Sequence, residues 1–206
     1  TAAGGKVKFT LCYPTRLADA DKKYDMVASG AADMAVCGLA AYPGRFPLTE
    51  LCSLPYLFAS DRQATRVASE LLREHLRLEF KEVELLSAFC FTEYDIYTAK
   101  KQVKTRADME DLKIAVSGAI PTETVRALGA VPTTVWLGER YHALETGGVD
   151  GVHWLAESIV AFKVHPVIKY AAISQDTWAH TFFLIINPGT WGNLPTDVKD
   201  IMVRTG

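Results

Sequence analysis

Short β-like runs alternate with amphipathic helical stretches along nearly the whole chain, with glycine or proline at the joins. Strands separated by helices pair side by side through crossovers, so this alternation predicts an α/β fold with mostly parallel sheets. Lys6–Tyr13 alternates polar and apolar residues and is closed by Pro14, which predicts a strand. Leu17–Ser29 carries Leu17, Asp21, Tyr24 and Val27 at helical spacing, and Gly30 stops it. Ala32–Cys37 reads as a short buried strand. Ser60 and Gln63 fit a capping box, in which hydroxyl and amide satisfy backbone N–H groups left open at a helix start. Val67, Leu71, Leu72, Leu76 and Phe80 continue that helix, and Val83–Tyr97 predicts one long strand or two.

The second half repeats the alternation at shorter spacing. Thr105 and Asp108 mark a helix start, Lys113–Val116 a strand, and Pro121 the first turn of a helix ending at Gly129. Val131–Trp136 is a strand, Glu139–Thr146 a helix stopped by Gly147 and Gly148, and Val149–His153 the next strand. Ser158–Val164 reads as helix, Val167–Ile173 and Thr181–Ile186 as strands, and Pro195 opens a last helix. A seam near Phe89–Tyr97, with a return near Tyr170–His180, divides the chain into lobe I (1–92 plus 174–206) and lobe II (93–173). Two α/β lobes joined by crossing strands enclose a cleft, the usual setting for a small ligand.

The 206 residues are 49% hydrophobic and 22% charged, enough for a substantial core without staples. Lysine and arginine number 22 against 24 aspartates and glutamates, and the net charge of -2 argues against nucleic acid as a partner. No apolar run approaches the roughly 20 residues of a membrane helix. Thr1–Lys6 has no signal-peptide pattern. Cys12, Cys37, Cys52 and Cys90 sit in apolar stretches without CxxC spacing, which predicts buried thiols, with a Cys12–Cys37 disulfide as the alternative.

Catalytic patterns are absent: no GxSxG, no GxxxxGK[ST], no HExxH. Gly147, Gly148 and Gly151 fit a helix stop and a turn better than a dinucleotide fingerprint. The five histidines never fall at metal-ligand spacing and read as surface or internally satisfied groups. Asp150 and Glu157, seven residues apart, make a poor acid–base pair. The basic stretch Lys100–Arg106 runs into Asp108, Glu110 and Asp111 and reads as a solvated loop. No enzyme, no cofactor and no metal are expected. Trp136 and Trp154 fall at or just beyond the carboxyl ends of strands, where open α/β sheets gather ligands.

A set of longer motifs narrows the reading. They are Gly5-Lys-Val-Lys-Phe-Thr, Gly30-Ala-Ala-Asp-Met-Ala-Val, Tyr42-Pro-Gly-Arg-Phe-Pro-Leu-Thr-Glu, Leu54-Pro-Tyr-Leu-Phe and Lys100-Lys-Gln-Val-Lys-Thr. Asp111-Leu-Lys-Ile-Ala-Val-Ser-Gly, Ala127-Leu-Gly-Ala-Val-Pro, Glu139 through Gly151 and Trp191 through Val198 continue the series. In these motifs the chain resembles the substrate-binding subunit of tripartite ATP-independent periplasmic (TRAP) transporters, the DctP type. The resemblance implies a two-lobed periplasmic binding-protein fold that closes on a small organic solute, usually a carboxylate, and docks on a membrane permease.

Two departures from that family pattern matter. The strand at Leu112–Val116 usually carries a carboxylate-binding arginine where this chain has Ala115, and a second arginine of some members aligns with Tyr94. Other lining positions fall on Tyr42, Leu137 and Trp154, so the expected ligand-binding set is Tyr42, Tyr94, Ala115, Leu137 and Trp154, an apolar and uncharged lining. Burial of a carboxylate without a partner is costly, which disfavours a simple monocarboxylate. The second departure is length, because family members carry elements before Gly5 and beyond Val203. An incomplete first lobe exposes strand edges, so a homo-oligomer is expected. The alternative function is a relative that kept the fold but serves as an interaction or oligomerisation module.

Overall fold

The computed structural model describes residues 7–12, 20–92, 94–173 and 179–205. In chain order the helices are α1 (Lys23–Ala28), α2 (Pro47–Glu50), α3 (Asp61–Glu74), α4 (Ala119–Ala127), α5 (Arg140–Thr146), α6 (Ala156–Ala161), α7 (Pro188–Asn193) and α8 (Thr196–Thr205). The strands are β1 (Met34–Gly38), β2 (Glu84–Phe91), β3 (Tyr94–Thr98), β4 (Lys113–Val116), β5 (Val131–Thr134), β6 (Gly151–Leu155), β7 (Tyr170–Ala172) and β8 (His180–Ile186). They divide between two units. One comprises Thr1–Leu51, Thr65–Cys90 and Thr181–Gly206, and the other Cys52–Ala64 and Phe91–His180.

The first unit holds a three-stranded sheet in the order β1-β8-β2. β1 runs antiparallel to β8, with Met34 opposite Ile186 and Gly38 opposite Phe182. The apolar run of β8 takes the central place, whereas β1 buries only Cys37, less than the buried strand expected there. An aromatic cluster forms the core: Phe46 stacks on Phe80 at 4.7 Å, and Phe183 meets both edge-on at 5.5 and 5.0 Å. Such offset and edge contacts add to the area that aromatic rings bury. Arg45 lies 4.1 Å over the Tyr24 ring and pairs with Asp25 at 2.8 Å.

Polar side chains close the helix ends. Glu79 accepts hydrogen bonds from the Leu48 and Thr49 amides, both at 2.9 Å, and thereby satisfies the open donors of α2. Asn187 accepts from the Gly189 and Thr190 amides as the cap of α7, while its amide group donates to the Val27 carbonyl at the end of α1. Ser69 on α3 donates to the Ala88 carbonyl of β2 at 2.8 Å, and Ala64, Ala68 and Leu72 form the buried stripe of that helix.

Four expectations for this part change. Residues 7–12, within the strand expected at Lys6–Tyr13, form no regular element, and Phe9 is 61% exposed. Alternation alone does not hold a strand, and no described strand offers this segment a hydrogen-bonding ladder. Cys12 is exposed rather than buried, and all four cysteines are free thiols. The helix begun at Ser60 ends at Glu74 instead of running to Phe80; a separate 3-10 turn spans Arg77–Glu79. At its start Ser60 accepts from the Gln63 amide, as the capping box requires, but the Gln63 side chain accepts from Ala59, one residue upstream of Ser60.

The second unit holds a five-stranded sheet in the order β5-β4-β6-β3-β7. β4 runs parallel to β5 and to β6, but β3 is antiparallel to both β6 and β7. The α/β architecture is as expected, and its sheets are mixed rather than mostly parallel. The parallel pairs are those whose strands are separated by α4 and α5, because a parallel neighbour requires a crossover. Ile114 and Val116 point to one face of β4 with Met109 and Val125, and Ala115 to the other with Val152 and Trp154, so this strand is buried on both sides.

Gly147 ends α5 in a left-handed conformation (φ +76°), the helix stop that its sequence announces. Gly151 belongs to no turn; it opens β6, and a Cβ there would stand 2.6 Å from the Tyr97 carbonyl oxygen. Asp150 has a structural task as well, its carboxylate accepting the Lys113 amide at 2.9 Å where β4 begins.

Candidate ligand-binding site

Because β4, β5 and β6 are mutually parallel, their carboxyl ends share one edge of the second unit's sheet. Ser117 follows β4, Val135 follows β5, and Trp154 lies near the end of β6. Open α/β sheets bind ligands at this edge. The turn Leu137–Glu139 leads from β5 into α5, whose first residue is Arg140.

Arg140 reaches all three strand ends. Its Nη2 donates to the Ser117 hydroxyl at 2.9 Å, its Nε to the Val135 carbonyl at 3.4 Å, and its Nη1 to the His153 carbonyl at 3.4 Å. The side chain is only 2% exposed, and its Cζ lies 4.4 Å from the Trp154 ring centroid. No described carboxylate forms an ion pair with it. Burial pushes its pKa down to about 10, opposed by Tyr94, which still leaves it a cation at neutral pH.

Around the guanidinium stand aromatic and imidazole rings. Tyr94 is 5.4 Å from His153 and stacks on His180 at 5.5 Å, all three being buried. Burial, and secondarily Arg140, lowers the His153 pKa to about 3; burial and then His153 do the same for His180. Both imidazoles are therefore neutral at pH 7. Burial raises the Tyr94 phenol, with Arg140 acting in the opposite direction. Asp95, also buried, accepts from the Tyr97 hydroxyl at 3.4 Å.

Of the expected lining residues, Tyr94, Ala115 and Trp154 share one buried cluster. Trp154 has Phe162 at 5.1 Å in addition to Arg140, and is 4% exposed. Leu137 lies on the turn before α5 and is 39% exposed, and Trp136 beside it is also exposed. Tyr42 belongs to the core of the first unit, where its hydroxyl donates to the Ala20 carbonyl at 2.8 Å and accepts from the Tyr24 amide at 3.1 Å.

The expectation of an uncharged surrounding does not hold, since Arg140 stands directly against Trp154. A sequence signal for it exists. Arg140 precedes Leu144 by one helical turn, so it occupies the apolar stripe of α5, where a cation is out of place.

The family model for the bacterial extracellular solute-binding proteins, family 7, matches residues 1–205. The chain belongs to this family. Among curated family relatives, the C4-dicarboxylate-binding periplasmic protein DctP of Rhodobacter capsulatus is 29% identical over 192 residues, which cover 91% of this chain and 57% of the relative. The 2,3-diketo-L-gulonate-binding periplasmic protein YiaO of Escherichia coli K12 is 23% identical, covering 98% of this chain and 62% of the relative. This family 7 chain thus spans about three fifths of the length of those relatives.

Solved structures agree on the fold. A TRAP periplasmic solute-binding protein from Bordetella bronchiseptica with bound (R)- and (S)-mandelate superposes with a TM-score of 0.88 at 31% identity, over 98% of this chain and 65% of that one. A TRAP solute-binding protein from Rhodoferax ferrireducens with copurified benzoate gives 0.92 at 25% identity, over 99% and 65%. These likenesses bear out the binding-protein fold expected from the motifs. Among the described residues, no helix is long and apolar enough to cross a membrane and no His, Cys, Asp and Glu cluster fits a metal ion.

Proposed function

We propose that this family 7 chain is a solute receptor of a TRAP-type transporter, capturing a small organic molecule in the periplasm for delivery to a membrane permease. The family match across residues 1–205 carries this reading. The relatives it resembles hold mandelate and benzoate, compact organic acids with one ring. In the second unit, Tyr94, Ala115, Leu137 and Trp154 supply the lining, at the sheet edge where such folds bind ligands. The chain's task is capture rather than catalysis.

A thermal-shift screen of the purified protein against hydroxy acids, keto acids, aromatic acids, amides and polyols tests the reading. A ligand present at about a hundred times its Kd adds roughly 2.7 kcal/mol, which moves the midpoint by several degrees at this size. A hit establishes solute capture; silence across the panel with a cooperative melt favours an interaction module. Self-association belongs to the same proposal, and a monomeric mass by light scattering at micromolar concentration would remove it.

A further inference from the structure

We propose that Arg140 is the anion receptor of this protein, delivered from the start of α5 to the sheet edge, where it takes the carboxylate of an apolar monocarboxylate. The inference rests on the solute-binding reading above and names its substrate class and its specificity-determining residue.

Three observations converge on Arg140. The first is its isolation. A guanidinium removed from water is costly unless an anion accompanies it, and none of the described carboxylates does. Its partners are two carbonyls, both at 3.4 Å, and one hydroxyl. A guanidinium carries five N–H donors, so two remain after these three contacts. Two parallel N–H groups are what a carboxylate accepts.

The second is its address. A cation at the first residue of a helix faces the positive end of the backbone dipoles. The same position lies on the buried stripe with Leu144, where an apolar side chain would pack without desolvating a charge. Neither local electrostatics nor core packing accounts for an arginine there. Trp154 holds the group in place from one side, and the half-buried Ser117 hydroxyl, its shortest contact, is the partner that an arriving oxygen displaces.

The third is the company it keeps. His153 and His180 are neutral, Tyr94, Trp154 and Ala115 share the buried cluster, and the buried Asp95 opposite Trp154 in the sheet accepts from the Tyr97 hydroxyl. One fixed cation with an aromatic ring against it suits a solute with one negative group and an apolar body. Ala115, where the family pattern leads one to expect an arginine, pairs in the sheet with Val152 and Thr133, on the strand that ends at Ser117's doorstep. The charge missing from β4 is thus supplied by α5.

The test compares carboxylate probes with their neutral isosteres. Benzoate, mandelate and small aliphatic monocarboxylates are titrated calorimetrically against the purified protein, each beside its primary amide, and the best pair is repeated with Arg140→Met and Arg140→Lys. The expected result is at least tenfold preference for the acid in the native protein. Arg140→Met should lose a hundredfold or more for the acid and less than threefold for the amide. Arg140→Lys, which keeps charge without the planar fork, should fall between. If Arg140→Met does not fold, Arg140→Lys carries the comparison through a tenfold loss confined to the acid. Acid affinity unchanged in the folded variants, or a native preference for amides, overturns the assignment of Arg140 while leaving solute capture intact. Absence of binding to every probe overturns the assignment of Arg140, and silence across the wider thermal-shift panel overturns solute capture as well.

Discussion

The Arg140 guanidinium lies 4.4 Å from the centre of the Trp154 ring, and both side chains are buried. The contact joins the start of α5 to the end of β6. A desolvated cation over an indole is worth about 2 kcal/mol or more, so neither group is independent of the other. Removal of the ring takes away the wall against which the charge is positioned.

Trp154→Ala is therefore expected to lower the unfolding free energy by about 3–5 kcal/mol, as large-to-small core changes do. Trp154→Phe, which keeps an aromatic face, should cost less than half of that. Urea denaturation of both variants measures the difference. Equal losses would mean that an aromatic face of smaller size restores nothing, which would contradict this account of the contact.

The buried histidines make stability depend on pH. Their folded-state pKa values, about 3, lie below the ordinary 6.5, so the unfolded chain takes up protons first as the pH falls. Their penalty is absent above about pH 6.5 and grows as the pH drops towards 3. At pH 5 each site should cost about 2 kcal/mol relative to neutral pH. Urea midpoints at pH 7.5 and 5.0 measure the loss, and His180→Gln should narrow it by one site's share. A midpoint that does not move between these two pH values would contradict the burial of neutral imidazoles.

Gly151→Ala should be severely destabilising although the change is one methyl group. The new Cβ meets the Tyr97 carbonyl oxygen at 2.6 Å, and a paired strand cannot move that oxygen away. A loss of about 3 kcal/mol is expected, at the upper end for overpacking. Gly138→Ala, with nothing within 4 Å of the added carbon, is the control and should shift the thermal midpoint little.

Glu79→Ala should lower stability by about 2 kcal/mol, since it leaves the Leu48 and Thr49 amides without their acceptor. The Thr49 hydroxyl, which donates to the same carboxylate at 2.6 Å, loses its partner too. Hydrogen exchange of the Leu48 and Thr49 amides offers a local readout, with faster exchange expected in the variant.

The sequence displayed those elements whose ends are written in local chemistry. Lys113–Val116 is the strand that its β-rich run announces, Gly147 is the stop expected for α5, and Thr105 with Asp108 opens an element that is only the 3-10 turn Arg106–Met109, with the Asp108 carboxylate accepting the Thr105 amide. Strand direction was not legible, because nothing within Tyr94–Thr98 says that its neighbours will be β6 and β7. The alternation of Lys6–Tyr13 looked like a strand for want of information about a partner. Of the candidate site, Tyr94, Ala115 and Trp154 were visible and fall in one cluster. Arg140 left only a faint trace, its place one turn before Leu144 on the buried stripe of α5. Its burial depends on three strand ends brought together from Ser117, Val135 and His153.

The sheet of the first unit also dictates when that unit can be completed. Met34 near one end of the chain pairs with Ile186 near the other, and the strand that contains Ile186 is the central one. β1 precedes β8 by most of this sequence, so their ladder cannot close until His180–Ile186 is present. The second unit draws chiefly on the continuous stretch Phe91–His180 and has its strands available earlier. The order of assembly should therefore differ from the order of the sequence, with the second unit folding before the β1–β8 ladder closes. Purified chains truncated just before Thr181 would then display protease resistance in the second unit while Met34–Gly38 remains open to cleavage.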